Sequence, residues 1–376
     1  VTTESSLHPG VAVIPAALAV AEERQRAPTA FLEAVVAGYE VTMRVGNALN
    51  PASAYRRGFH PTGVAGAFGA AMAAGRLLSL DSPHLTRALG IAGTLAAGSL
   101  EYLADGSFTK RLNAGWAAHA GVVAAELARA GFTGPPTALD GRLGVLRAYT
   151  DDPQPRRLLA DLGDPLQIMR VSIKPYACCR YNHGLIDCVL QLKRDHAFAP
   201  ADVAAIRLGV LSGGALLVAE PMEQKRSPQN VVDAQFSAPF AAAVSLVRGA
   251  AGRAEHSTSN LADPLIRSLM ARTDCYRDPA LDAPYPYQWP AAAEIILKDG
   301  RRFATRIEYA TGEPENPVPR EGLVAKFVSL VDHLLPEEPA RQLAERILQL
   351  DEEPNVSSVI QSVASIDSAL FEFGQQ

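Results

Sequence analysis

The chain has 376 residues, which at roughly 100–200 residues per domain gives two domains, three at most. Hydrophobic residues make up 48% and charged residues 20%, with mean hydropathy near zero, a balance that excludes both a disordered chain and a bundle of membrane spans. A net charge of −5 on scattered Lys and Arg lacks the clustered basic face that nucleic-acid binding requires. The longest apolar stretch, residues 11–21, contains Pro15 and is too short for a span of ~20 residues. No basic leader precedes it, so no signal peptide is expected. Cys178, Cys179, Cys188 and Cys275 show no CxxC spacing and read as free thiols in a reducing cytoplasm.

The first ~165 residues carry a helical period. Residues 31–49 place Leu32, Val35, Val36, Tyr39, Met43 and Val45 near one stripe. Residues 63–80 are almost all Gly, Ala, Val, Phe, Met and Leu, the composition of a helix buried all round. Residues 113–130 repeat that character and stop at Gly131, a suitable C-terminal residue. Trp116 in this stretch reads as core. No strand-like alternation is visible here.

The period changes near residue 166. Residues 167–173 can be extended, residues 203–210 end in alternation, and two alternating runs flank Asp299-Gly300, a hairpin signal. Helical stretches at 184–194 and 236–247 lie between them. Beyond the Gly/Pro-rich residues 312–319 the helical period returns at 322–335 and 340–350. The expected fold is mostly α: an all-helical domain from residues 1–168 and 313–376, with an α+β lid of residues 169–312 inserted.

Polar segments interrupt the helices: Ser6-Leu7-His8-Pro9-Gly10; Arg57-Gly58-Phe59-His60-Pro61-Thr62; Asp105 to Arg111 with Lys110; and Lys174 to His183 with Arg180. Basic groups at the ends of small-residue helices suit an anionic ligand, because helix N-termini and cations both favour negative charge. Gly63-x-x-Gly66-x-x-Gly69 lacks a preceding strand and the spacing of a dinucleotide loop, so it reads as close helix packing. Ser107-Phe-Thr-Lys110 matches the SxxK of serine acyl-enzymes, but the partner Lys-Thr-Gly is missing from the sequence. The histidines are isolated from Cys and carboxylates, so neither a metal nor another cofactor is expected. His84, His196, His256 and His333 read as ordinary surface or core residues.

These segments together resemble the MmgE/PrpD family, which includes 2-methylcitrate dehydratase, cis-aconitate decarboxylase and iminodisuccinate epimerase. The resemblance rests on RGFHPT at 57–62, DGSFTKRLNAGWAAHAG at 105–121 and GFTGP at 131–135. KPYACCRYNHGLID at 174–187, DAQFSAPFAAA at 233–243 and GEPENPVPREGLVAKF at 312–327 extend it over the whole chain. It implies a helical domain with an inserted lid, a homodimer, and a metal-independent lyase or isomerase acting on a small di- or tricarboxylate. Carried over by motif, His8 and His60 are the catalytic histidines and Lys110 and Lys174 the site lysines. Arg57, Arg180 and His183 are expected to help bind substrate, with Arg111 a further candidate. Two departures accompany the match. The family's Asp-Asp-Thr-like segment before His-Pro is represented here at most by Thr2 or Thr3. Phe240 stands where some members carry a tyrosine after the Phe-Ser segment, which makes decarboxylation the least expected of the three reactions.

Such chemistry takes a proton next to a carboxylate, then expels a β-hydroxyl or returns a proton to the other face. Histidine supplies a base near neutral pH without large tuning, and fixed cations replace a metal in stabilising enolate-like charge. His8, His60, Lys110 and Lys174 are thus expected to line one cleft between helical domain and lid. The alternative from another class is a non-catalytic polycarboxylate-binding or interaction relative that has lost the N-terminal catalytic segment.

Overall fold

A computed structural model describes residues 1–364. Residues 365–376, which the sequence pattern assigns to the helical domain, lie outside the described residues. The chain packs as two units, one of residues 1–102, 108–171 and the described residues from 331 on, the other of residues 103–107 and 172–330.

The first unit opens with α1 (Gly10–Glu23), α2 (Pro28–Leu49), α3 (Pro51–Arg56), α4 (Pro61–Leu77), α5 (Ser82–Leu95) and α6 (Thr109–Arg129). Proline at the first position of α2, α3 and α4 presets the helical φ where no N–H bond is lost. Asp81 caps α5 by accepting from the His84 amide at 3.0 Å.

The helices meet through glycine and alanine. A Cβ on Gly66 would lie 2.9 Å from that of Ala12 in α1 and 3.3 Å from that of Ala117 in α6. One turn on, Ala16, Ala70 and Ala118 pack together, and a Cβ on Gly121 would come within 2.4 Å of Ala70. The pairs 12/66 and 16/70, and 66/117 and 70/121, advance in the same direction, so α1, α4 and α6 run parallel. Helix α2 is antiparallel to α4: Gly38 faces Ala73 while Thr42 faces Gly69. The Gly63/Gly66/Gly69 spacing is therefore a packing device.

Trp116 is not core. It is 43% exposed, with its indole N–H donating to the Leu95 carbonyl at 3.2 Å. The face of α6 that meets α4 admits only Ala117, Ala120, Gly121 and Ala124, which turns the large ring outward.

The second unit holds α7 (His183–Asp195), β1 (Val203–Val210), α8 (Ala238–Arg248), α9 (Pro264–Ala271), β2 (Thr273–Arg277), β3 (Ala291–Leu297), β4 (Arg302–Ile307) and α10 (Arg320–Val331). The sheet order is β2-β1-β3-β4, with β1 and β2 parallel and the other pairs antiparallel. The β3–β4 hairpin turns at Asp299-Gly300, where Gly300 takes φ +90°. The strand expected at 167–173 is absent. Gln167–Arg170 is a 3₁₀ turn, because the Gln167 amide is held by the Glu40 carboxylate and Ile168 and Val171 pack on the helical core.

Helix α10 packs with the second unit, so the chain re-enters the first at 331 rather than 313. There α11 (Glu337–Leu348) and α12 (Val356–Ala364) follow, with Val356 in the helical core. Among the described residues no helix is long and apolar enough to cross a membrane.

The glycine seams give a direct test. A Cβ on Gly69 would meet Thr42 Oγ1 at 1.7 Å and the Gly38 carbonyl oxygen at 2.5 Å, whereas one on Gly115 would meet nothing within 4 Å. Gly69→Ala is expected to destabilise by about 1–3 kcal/mol through overpacking. Gly115→Ala, in an open helical position, should be neutral or stabilising by up to about 1 kcal/mol. Urea unfolding of the two variants checks both signs.

Candidate functional site

The parallel run of α1, α4 and α6 sets three positive helix ends side by side, and each carries a predicted site residue. His8 precedes α1 by two positions, His60 is the N-terminal cap residue of α4, and Lys110 sits in the first turn of α6. The His8 amide donates to Thr62 Oγ1 at 3.1 Å, tying the His-Pro-Gly segment to the start of α4. The His60 amide donates to the Gly98 carbonyl at 3.0 Å, and the Leu100 amide to the Gly58 carbonyl at 2.9 Å. That short ladder fixes the main chain on which the imidazole stands.

The His60 side chain is buried. Its Nδ1 lies 3.4 Å from Asn113 Nδ2, which also donates to the Ser99 carbonyl at 2.9 Å. The Ser99 bond orients the amide, so Nδ1 is the acceptor and Nε2 carries the proton. Tyr102 closes one side, its ring edge-on to His60 at 5.8 Å and beneath Lys110 Nζ at 5.9 Å. Burial, reinforced by the Lys110 charge, pushes the His60 pKa down to about 3. The expectation of a base needing little tuning is corrected here: the imidazole is neutral because its surroundings repel a proton.

The second cluster lies in the second unit, on the segment leading into α7. The Ile173 amide donates to the Gly312 carbonyl at 2.8 Å, that of Ala177 to Ala251 at 3.0 Å and that of Cys179 to Gln235 at 2.8 Å. Gly312, at φ +98°, lies so close to the Ile173 carbonyl that no Cβ fits. Tyr176 donates to Asp187 Oδ1 at 2.5 Å, and the Thr311 amide to Oδ2 at 2.7 Å. Arg180 is buried in an ion pair with Glu313, its guanidinium 5.5 Å above the Trp289 ring. Removing either partner would leave an uncompensated buried charge, costing about 3–5 kcal/mol.

Around these anchors, burial lowers the basicity of Lys174, opposed by Cys179 and Cys178 and reinforced by Arg180. His183 is wholly buried, and neither ring nitrogen makes a well-formed hydrogen bond, the Cys178 backbone falling short of one. Burial, then the charges of Arg180 and Lys174, with a smaller push from Lys326, hold His183 neutral.

The predicted residues thus divide. His8, His60 and Lys110 belong to the positive helix ends of the first unit; Lys174 and Arg180 are the cations of the second, with the neutral His183 beside them. Arg57 is exposed and paired with Asp151 at 2.6 Å. Arg111 is exposed, stacked on Phe108 at 4.7 Å. Glu313 and Lys326 were not singled out from the sequence, although both lie in the 312–327 motif. Phe240 is fully buried in α8, its ring 5.5 Å from that of His256, whose Nε2 is buried without a hydrogen bond. Among the described residues no three His, Cys, Asp or Glu side chains group closely enough to hold a metal ion.

Comparison with known families places most of these residues within two family domains, Lys174 falling between them. Residues 2–158 match the MmgE/PrpD N-terminal domain and residues 176–352 the MmgE/PrpD C-terminal domain. The chain belongs to the MmgE/PrpD family. A cis-aconitate decarboxylase-like protein of Aspergillus oryzae is 26% identical over 374 residues, covering 94% of this chain and 76% of that protein. Cis-aconitate decarboxylase of Aspergillus terreus is 26% identical over 379 residues, covering 96% and 76%. The Homo sapiens cis-aconitate decarboxylase is 25% identical over 360 residues, covering 93% and 73%.

In this MmgE/PrpD chain the depressed basicity of His60 couples stability to pH. An unfolded histidine takes up a proton below pH about 6.5, whereas folded His60 refuses one until about pH 3. His60 is therefore expected to make the protein lose stability as pH falls from about 6.5 toward 3, and to contribute no pH dependence above that window. The thermal midpoint of His60→Gln, followed from pH 8 to 4, should fall less steeply than that of the unsubstituted chain.

Proposed function

We propose that the protein is a metal-independent lyase or isomerase that moves a proton next to a carboxylate of a small di- or tricarboxylate. The observation that carries this reading is the buried neutral His60 beside the Lys110 ammonium, at helix ends that attract anions. A carboxylate held by Lys110 offsets the charge that depresses His60, raising its proton affinity only once substrate is present. His60 then does acid–base work, assisted by His8, while Lys110 and Lys174 hold carboxylates and stabilise enolate-like charge. Arg57 contributes to the field at the first cluster. Arg180 keeps the surroundings of Lys174 cationic, and the neutral His183 lies beside them.

Dehydration of a 2-methylcitrate-like hydroxy acid, or epimerisation, follows from that first proton transfer. Decarboxylation is the second reading, favoured by the relatives, which are named cis-aconitate decarboxylases. Loss of CO₂ leaves a carbanion that the same cations stabilise and the same imidazole protonates. Against it stands Phe240, which offers no hydroxyl. A homodimer in the cytoplasm completes the proposal, the dimer being testable by light scattering.

Proton NMR in D₂O with 2-methylcitrate, cis-aconitate and related acids separates the readings. C–H exchange or loss of water supports the first, CO₂ release from cis-aconitate the second, and neither across the panel leaves the binding-protein reading. On the substrate so found, His60→Ala should lower kcat by about 10²–10⁴-fold. Lys110→Met should chiefly raise KM, because a buried carboxylate loses its partner. Activity is expected to survive EDTA; loss on chelation with recovery on one added metal would overturn metal independence.

A further inference from the structure

Lys326, on α10, has no part in the function proposed above. Its Nζ donates to the main-chain carbonyl of Lys174, and its side chain is half-buried. A lysine ammonium gains most from a carboxylate, yet the two carboxylates beside this cluster are engaged elsewhere. Glu313 pairs with Arg180, and Asp187 accepts from Tyr176 and Thr311. Lys326 instead adds its charge to those of Lys174 and Arg180 on the buried ring of His183.

The groups facing Lys174 come from every side. Its own segment contributes the thiols of Cys178 and Cys179 together with Arg180. His183 stands at the head of α7, His256 in the loop after α8, and Lys326 on α10. Both imidazoles are held neutral by burial, and burial keeps Cys178 a thiol by pushing it up to about 12. The two lysines thus share a neighbourhood rich in cations.

We propose that Lys326 is a positioning residue for Lys174: it fixes the main chain from which the Lys174 side chain rises and, as a second cation, ties the charge on Lys174 to the arrival of a substrate carboxylate. The inference rests on the reading of Lys174 as a carboxylate-holding group. Lysines that repel one another give up protons more readily than either alone. Burial, then the Lys174 charge, lowers the basicity of Lys326, so with rising pH Lys326 gives up its proton first and anion binding should begin to fail earlier than it would with Lys174 by itself.

The test is calorimetric titration of the full chain with citrate between pH 6.5 and 9.5, using Lys174→Met, Lys326→Met, Lys326→Gln and Lys326→Arg. At pH 7, Lys174→Met and Lys326→Met should each weaken citrate by about tenfold or more, the scale of a lost charged hydrogen bond. Lys326→Arg, which keeps donor and charge, should bind within about threefold of the unsubstituted chain with the same alkaline loss of binding. Lys326→Gln keeps a donor without the charge, so its alkaline loss should move to higher pH. That shift decides the matter even if Lys326→Met does not fold. An unshifted alkaline limb in Lys326→Gln, or failure of Lys326→Arg to restore affinity, reduces Lys326 to a structural prop and overturns the inference. Normal citrate binding by Lys326→Met beside weakened binding by Lys174→Met overturns it alone. Normal binding by Lys174→Met, or none by the unsubstituted chain, removes the reading beneath it as well.

Discussion

The column of glycine and alanine between α1, α4 and α6 is the constraint on which the first unit depends. Parallel neighbouring helices set like dipole ends together, an arrangement that costs electrostatic energy unless something negative stands at the N-terminal end. Close approach through Ala12, Gly66 and Ala117, then Ala16, Ala70 and Ala118, supplies the dispersion contacts that hold the helices in that arrangement. The same approach brings His60 next to Asn113 and within the field of Lys110. Packing and chemistry are thus one feature: bulkier residues in the column would spread the helix ends and weaken the burial, and with it the Lys110 field, that keep the imidazole neutral.

The second unit reaches a similar electrostatic state by other means. Its cations stand on an irregular segment, so hydrogen bonds to Gly312, Ala251 and Gln235 do the work that helix packing does in the first unit. Glu313 and Asp187 are the internal carboxylates of this region. Each is spent on an anchor, one on Arg180 and one on Tyr176 and Thr311, which leaves Lys174 and Lys326 without a carboxylate from either. A region that gathers cations while committing its own anions elsewhere suits the anionic substrate of the proposed function.

Much of this was legible in the sequence because the signals were local. The strand at 203–210, the Asp-Gly hairpin, and the all-round burial of α4 follow from period and turn chemistry within short windows. The misses share a different cause. Strand β2, Thr-Asp-Cys-Tyr-Arg, is five residues long and mostly polar, and it exists because β1 offers it a parallel edge. Leu32 was placed on the buried stripe of α2 but is exposed, since Phe31, Val35, Tyr39 and Thr42 define the face that α4 selects. Trp116 reads as core in the sequence, and the small-residue seam turns it outward. At the site, the motif positions of His60 and Lys110 were readable, whereas the depression of His60 depends on burial and on a neighbour 50 residues away. Glu313 and Lys326 act on residues 133 and 152 positions earlier, and no periodicity reports such pairs.

That His60 and His183 are both neutral follows from a competition that the resting protein has already decided. For each, desolvation is the largest influence and a neighbouring cation the next, and both disfavour the imidazolium. On the proposed function, desolvation persists when an anion arrives, but the effect of a lysine does not, because a carboxylate held by Lys110 beside His60, or by Lys174 beside His183, would cancel it. Each imidazole therefore has one component of its basicity that burial fixes and another that a bound anion switches. A base assembled this way gains proton affinity as the substrate's negative charge comes within reach. It also remains unprotonated while no substrate is bound, when a buried imidazolium beside a lysine would gain nothing and cost stability. On the proposed function, the cations that recognise the carboxylates are thus the groups that set when the histidine can take a proton, so recognition and acid–base chemistry would draw on the same charges.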